Sequence, residues 1–380
     1  MLSLKCRWHR WEIEEVNMKI KSVTSQVVRL PVDEPLADGP PSGRGYNMFV
    51  TVRIETVDGI EGVGAAFFGG VLSGSLKLAV EQLGALIVGD DPLRIEALTQ
   101  KLRNAAASAG PGGIVSLAIS GLDMALWDIK GKYLGQSLGT MLGGLRERVP
   151  TYASGALVRN YSLDVILTSA RRLVERGFTQ MKTQMALPGD VTPAQEAERA
   201  RLTREAVGSD IDLMCDINQR WSVNQAIDVG RRTEDVHFYW LEDVTIHDDF
   251  TGLARVADAL ATPLASGECL YGITPFRHTI EAHAADIIMI DLIRVGGISN
   301  WIKVAALAEA FNLPVVSHLL PEIHVHLVSA VPNGLTVEYM PWSFRLWQEV
   351  PAPVKGELVV PTKPGLGLEF SRELGRYVVG

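Results

Sequence analysis

The sequence predicts an α/β barrel preceded by a smaller α+β domain, on three observations. After Val149, short apolar runs alternate with amphipathic helical stretches, giving eight candidate strands. Between Met18 and about Gly144, strands come first and helices later. At the ends of the later apolar runs, acidic residues and one histidine recur every 20 to 27 residues. A scattered polar surface would not keep that rhythm.

Composition sets the background. The 380 residues, 47% hydrophobic and 21% charged, suffice for one large core and a smaller one. A formal charge of −8 and a pI near 5.6 argue against a nucleic-acid surface. No apolar run reaches the roughly 18 residues of a membrane span, so the expected partners are small molecules. The three cysteines, Cys6, Cys215 and Cys269, have neither metal-type spacing nor the number for a disulfide framework. A reducing compartment follows, and the cytoplasm is the expected location.

Residues 1–17 lack the apolar segment of a signal peptide and read as an extension of no predicted function, with Met18 as the natural start. "KIKSVTSQVVRL" and "MFVTVRIETVDG" alternate as strands, the second closing on an Asp58-Gly59 turn. "PVDEPLADGPPSGRGYN" and "FFGGVLSGS" read as loops able to act as lids. Helical patterns occupy about 75–88, 92–107 and 113–134. The barrel strands are predicted at 150–155, 179–184, 212–218, 238–243, 263–268, 287–292, 314–319 and 335–340. Helical stretches at 163–176, 193–207, 248–260 and 299–312 lie among them.

Asp216, Glu242, Glu268, Asp291, His318 and Glu338 fall at or near the C-terminal ends of the third to eighth of these strands. In a parallel barrel those ends meet at one mouth, where residues distant in sequence converge. An isolated acid there can simply cap the next helix; six in register point to a site. Asp216, Glu242 and Glu268 come from consecutive strands and offer only oxygen. Carboxylates crowded together need a cation between them, and hard oxygen donors favour Mg2+ over zinc. Cys215 and Cys269 adjoin two of these acids, and strand alternation turns both toward the helices as core residues.

His318 and Asp291 lie on neighbouring strands. A carboxylate on one imidazole nitrogen fixes the tautomer and leaves the other nitrogen free to exchange a proton, which makes a general acid/base dyad. His278, His283, His324 and His326 lie on helical segments and read as satisfied core residues. In "MKTQ" (181–184), Lys182 and Gln184 share one strand face. A cation inside a barrel must be paired or reach water.

Read in order, these segments resemble the enolase superfamily, mandelate racemase subgroup, over about residues 18–380. The resemblance rests on "SGLDMALWDIKGKYLGQSLGTMLGG" (120–144), "CDINQ" (215–219), "WLED" (240–243), "SGECLYG" (266–272), "DLIRVGGISN" (291–300), "SHLLPEIHVHL" (317–327), "VEYM" (337–340) and "KPGLGLE" (363–369). It implies a modified TIM barrel, seven βα units plus an eighth strand, under an α+β capping domain. The cap would comprise residues 18–148, the barrel 149–340, and 341–380 would return to complete the cap. By resemblance Asp216, Glu242 and Glu268 match the magnesium ligands, Asp291 and His318 the dyad, and Glu338 an acid that hydrogen-bonds the substrate carboxylate.

Many relatives carry Lys-x-Lys on the second strand, the second lysine acting as a base. Here that position is Gln184, which cannot accept a full proton. Lys182 can steady a carboxylate but has nothing beside it to lower its pKa to neutrality. Two-base racemisation needs an acceptor on each substrate face, whereas β-elimination of water needs only one group that takes the α-proton and returns it to the leaving hydroxyl. The expectation is therefore a Mg2+-dependent sugar-acid dehydratase acting on an aldonate or aldarate. Gln184, Asn218, Arg44 and Tyr46, with Asn47, are expected to contact the substrate. Competing readings are a racemase of a 2-hydroxy acid, an epimerase or cycloisomerase of the same superfamily, for either of which strand six would carry a lysine where this chain has Asp291, and a non-catalytic metal-dependent sugar-acid binder. The resemblance also implies a symmetric homo-oligomer.

Overall fold

Period-2 alternation puts one face of β1 (Ile20–Pro31) and β2 (Tyr46–Thr56) into an apolar interior, and the Asp58-Gly59 turn brings β3 (Glu61–Ala66) back antiparallel. In the computed structural model, which describes residues 18–32, 36–37 and 45–379, these strands form a three-stranded sheet in sequence order. Helices α1 (Ser73–Ala85), α2 (Ile95–Ala105) and α3 (Ile114–Leu134) follow, with α1 and α3 packed on the sheet; a single turn, α4 (Leu138–Met141), leads out.

The alternating half then runs as β4 (Arg148–Leu157), α5 (Leu163–Glu175), β5 (Gln180–Gln184), α6 (Pro193–Val207), β6 (Asp212–Asp216), α7 (Val223–Arg232), β7 (Leu241–Glu242) and α8 (Phe250–Ala259). It continues with β8 (Leu264–Ser266), α9 (Thr274–Glu281), β9 (Ile287–Asp291), α10 (Ile298–Ala310), β10 (Val315–His318), α11 (Pro321–Ala330) and β11 (Val337–Tyr339). Each of β4 to β9 pairs parallel with the next, and β11 pairs parallel with β4. The Leu335 N–H donates to Val315 O at 2.9 Å, linking the approach to β11 with β10 and completing the ring. The predicted strands and helices stand close to their expected places. The fourth barrel strand, predicted at 238–243, is confined to Leu241–Glu242, and it ends where Asp243 turns left-handed, at φ 44°.

Parallel register sets the level of the mouth. Gln184 is paired with Asp216, Asp216 with Glu242, and Asp291 with His318. One level down, Tyr152, Met214, Trp240, Ala265, Met289 and Val316 fill the barrel as an apolar floor. Tyr152 and Trp240 meet there edge to face, centroids 5.5 Å apart, a contact worth about 1 kcal/mol beyond burial.

The cap is fixed over the mouth by one stripe of α3. Ser116, Ser120, Asp123 and Trp127 recur at helical spacing and face the β9–α10 connection. Ser116 and Ser120 donate to Arg294 O and Leu292 O, while Ser299 donates to Asp123 through both its hydroxyl and its N–H. Only glycine fits at Gly297, where φ is 101° and a Cβ would overlap the Asp123 side chain. Beyond β11 the chain lays β12 (Glu357–Val359) antiparallel on the start of β4. It then reaches the cap, donating Leu366 N–H to the buried Asp128 and Val379 N–H to Val27 O.

Candidate active site

The strand ends carry the predicted acids inward. Asp216, Glu242, Glu268, Asp291 and Glu338 are all buried. Glu268 stands beyond β8 because Gly267, at φ 132°, redirects the chain; a Cβ there would lie 2.5 Å from Met289 O.

His318 is held from both sides. Its Nδ1 lies 2.8 Å from Asp291 Oδ2 and its Nε2 lies 3.1 Å from Glu268 Oε2. Asp291 Oδ1 in turn accepts the N–H groups of Ile293 and Arg294, which fixes the carboxylate before it meets the ring. Burial opposes charge on the imidazole, but Glu268 and Asp291, with Glu338 behind them, lift its pKa to about 9. Asp291 is held below the usual carboxylate range, burial being outweighed by the His318 contact.

Lys182 sits deeper, between Glu242 Oε1 at 2.5 Å and Glu338 Oε1 at 2.8 Å, with the Tyr152 ring 5.5 Å away. Burial alone would lower its pKa. The two carboxylates more than compensate and hold the ammonium well above its ordinary pKa. Glu242 also accepts Trp240 Nε1–H, and Glu338 Oε2 accepts Leu319 N–H at 2.6 Å.

The acids outnumber these cations. Burial pushes Asp216 upward, Lys182 opposing and Glu268 adding; burial likewise pushes Glu242 well up, with Asp216, Glu268 and Glu338 adding against Lys182. Such a crowded oxygen set fits a hard divalent cation, whose charge would relieve the repulsion. A further acid lies beside it. Asp243 accepts Ser266 Oγ–H through Oδ1, and its Oδ2 has no hydrogen-bond partner among the described residues. One ligand-type atom each from Asp243, Glu268 and Cys269 lie within 4.8 Å of one another. Sequence reasoning passed over Asp243, although it directly follows Glu242.

Cys269 corrects an expectation. Cys215 packs in the core between strands and helices as expected, but Cys269 is only half-buried, its Sγ accepting from Gln219 Nε2 at 3.0 Å on the mouth side. The turn at Gly267 ends strand alternation before this residue. His278 and His283 also depart from the core reading: both are exposed, and His283 lies past the end of α9 at φ 53°. His324 and His326 are fully buried in α11.

Gln184 and Asn218 form a polar network with Asp216. Gln184 Nε2 donates to Asp216 Oδ2 and Asn218 Oδ1, both at 3.2 Å, and Asn218 donates to Asp216 through its N–H and its Nδ2. Arg159, which sequence reasoning missed, closes the network: its guanidinium donates to Met185 O, Asn218 Oδ1 and Asp216 O. These side chains end a cleft of about 630 Å³ whose other walls include Tyr46, Asn47, Phe68 and Trp342. Tyr46 thus lines the cleft, its ring under Arg29 at 3.7 Å. Arg44, and most of the 33–47 segment expected to act as a lid, lie outside the described residues. Phe68, also unforeseen, stacks on His318 at 6.2 Å and carries the Arg294 guanidinium 3.7 Å above its ring.

Comparison with known proteins agrees with this arrangement. Residues 166–374 match the family model described as enolase C-terminal domain-like, and residues 35–143 that of the mandelate racemase / muconate lactonizing enzyme N-terminal domain. The chain is 30% identical over 368 residues to L-talarate/galactarate dehydratase of Salmonella typhimurium, covering 96% of this chain and 92% of the relative. It is 32% identical over 367 residues to 3,6-anhydro-alpha-L-galactonate cycloisomerase of Streptomyces coelicolor, covering 95% and 100%. The crystal structure of L-talarate dehydratase from Polaromonas sp. JS666, complexed with Mg and L-glucarate, superposes with a TM-score of 0.88 at 31% identity, over 96% of this chain and 98% of that one. An inward ring of strand-end carboxylates with a histidine–aspartate pair, on a barrel under an α+β cap, thus comes with matches spanning both domains: the chain belongs to the enolase superfamily, in its mandelate racemase / muconate lactonizing enzyme group.

Proposed function

We propose that this protein is a Mg2+-dependent sugar-acid dehydratase, removing the proton α to the carboxylate of an aldonate or aldarate and eliminating the 3-hydroxyl to give a 2-keto-3-deoxy acid. The observation that carries the reading is the inequality between Lys182 and His318. Lys182 is locked between two carboxylates as an ammonium, whereas His318 is tied to Asp291 through Nδ1 and presents Nε2 toward the acids of the mouth. One proton carrier is enough for elimination.

Asp216, Glu242 and Glu268 would hold the Mg2+, which supplies positive charge beside the substrate carboxylate and so acidifies the α C–H bond. Glu268 is the largest of the charges that hold the ring protonated; with that charge taken up by the cation, His318 Nε2 would be free to take the α-proton and pass it to the departing 3-hydroxyl, which leaves as water, and the enol left behind ketonises to the 2-keto-3-deoxy acid. Asp291 stabilises the intervening imidazolium and keeps its ring oriented. Lys182 and Glu338 set the charge at the inner end of the site, and Gln184, Asn218 and Tyr46 face the substrate chain. On the same reading the protein is expected to be a cytoplasmic homo-oligomer; sedimentation of the purified protein checks the oligomeric state, and cell fractionation the location.

Relatives named as dehydratases of talarate/galactarate, arabinonate and galactonate support the chemistry, and the cycloisomerase relative supplies the alternative to exclude. The test is a screen of aldonic and aldaric acids with Mg2+, detecting α-keto acid by semicarbazone absorbance. Turnover of at least one acid to a 2-keto-3-deoxy product is expected. Consumption of lactones or anhydro sugars with no keto acid formed would overturn the proposal.

A further inference from the structure

Strand β10 delivers His318 through a backbone that few sequences would choose. The two residues after it, Leu319 and Leu320, both adopt the left-handed region, at φ 56° and 44°, and neither is glycine. Branched aliphatic side chains are strained there, so surrounding groups must hold them. The Leu319 peptide groups are gripped from two directions. Its N–H donates to Glu338 Oε2 at 2.6 Å, and its carbonyl lies 2.6 Å from Nδ1 of His324, on the first turn of α11.

Since a carbonyl can only accept, His324 Nδ1 carries the hydrogen. The ring is completely buried beside Trp301, in edge-on contact at 6.1 Å, and its remaining nitrogen has no hydrogen-bond partner among the described residues. Burial pushes its pKa down to about 4, so the ring is neutral and the Nδ1–H tautomer persists at physiological pH. The neighbouring His326 has a different task, tying Gly139 N–H and Leu366 O together.

We propose that His324 is a positioning residue for the acid/base chemistry: its Nδ1–H, opposed by Glu338, clamps the left-handed Leu319 peptide and thereby aims the His318 ring at Asp291. This rests on the functional reading above only in taking His318 as the proton carrier. The clamp is a matter of donor placement rather than of bulk or polarity. An asparagine amide places its nitrogen near the position of a histidine Nδ1, whereas a glutamine amide reaches the position of Nε2.

The test compares His324→Asn with His324→Gln in the Mg2+-loaded enzyme. The first readout needs no substrate: the low-field proton NMR resonance of His318 Nδ1–H on Asp291, assigned by its loss in His318→Asn. It should persist in His324→Asn and broaden or shift upfield in His324→Gln. The second readout is exchange of the α-proton of galactarate in deuterated water. Exchange and kcat should fall roughly 10- to 100-fold in His324→Gln, the scale of a misplacement of about 1 Å, with KM within about twofold, and recover mostly in His324→Asn. An unchanged resonance in His324→Gln, or equal loss in both folded variants, would overturn the assignment. If the native enzyme leaves galactarate untouched, the substrate reading fails while the resonance still decides the role of His324.

Discussion

The ammonium of Lys182 lies between Glu242 and Glu338, 2.5 and 2.8 Å from their oxygens, and among the described residues no other cationic group is bonded to either carboxylate. Removing it leaves two buried acids facing each other. Lys182→Ala should lower stability by about 3–5 kcal/mol in the absence of divalent metal, measured by urea unfolding, and excess Mg2+ should restore part of it. Turnover should slow while α-proton exchange stays detectable. Complete loss of exchange would make the lysine the base.

His318→Asn should instead eliminate both exchange and dehydration, a fall of roughly 10²- to 10⁴-fold, and should also lower the melting temperature in metal-free buffer, since Asp291 and Glu268 lose the imidazolium between them. Isotope exchange followed by proton NMR separates the two variants. Exchange that survives in His318→Asn and vanishes in Lys182→Ala would exchange the roles assigned to the two residues.

Glu242→Gln keeps the shape of the side chain and removes a charge from the proposed metal site. Calorimetric titration with Mg2+ should show affinity weakened by at least ~10-fold, the scale seen for disturbed metal surroundings. EDTA should inactivate the unaltered enzyme reversibly. Full activity after exhaustive chelation would remove Mg2+ from the mechanism.

Acid stability reports on His326. Its folded-state pKa is depressed by burial from 6.5 to about 4, so the unfolded chain takes up a proton more readily. Its contribution is intact above about pH 6.5, fades as pH falls toward 4, and changes no further below. The loss across that window is roughly 3 kcal/mol by linkage. His326→Gln retains an acceptor for Gly139 and a donor for Leu366 but does not titrate. Denaturant midpoints for the two proteins should therefore converge between pH 7 and pH 4; parallel curves would count against a neutral buried histidine.

Gln184→Lys would put an ammonium against Asp216 and Asn218, near Lys182 and Arg159. Burial, Lys182 and Arg159 would lower its pKa against the opposing pull of Asp216; exchange of the opposite epimer, visible by chiral analysis of the deuterated acid, is expected, and its absence would mean that the new lysine stays charged.

The strand ends were legible in the sequence because period-2 alternation and a steady βα interval are repeated signals, and His318, Asp291, Glu242 and Asp216 all lie on regular strand. What escaped depends on single backbone torsions. Gly267 at φ 132° sends Cys269 to the mouth, and Asp243 at φ 44° turns a second acid beside Glu242. Asn218 at φ 49° begins the bend whose amide Arg159 grips from another strand end. Phe68 reaches His318 only because the cap is docked, a relationship between segments 250 residues apart that local pattern does not encode.

The return of the C-terminal segment to the cap has a consequence for synthesis. Asp128, buried on α3, waits for the Leu366 N–H made 238 residues later, and β1 gains its Val379 contact later still. On the ribosome, the cap sheet therefore emerges well before the groups that satisfy it, and the whole barrel must pass in between. Long-range contacts of this kind slow folding and prolong exposure of unpaired strand edges. Chains stalled after β11 should carry a formed barrel beneath a frayed cap, the state in which a nascent-chain chaperone has the most apolar surface to hold.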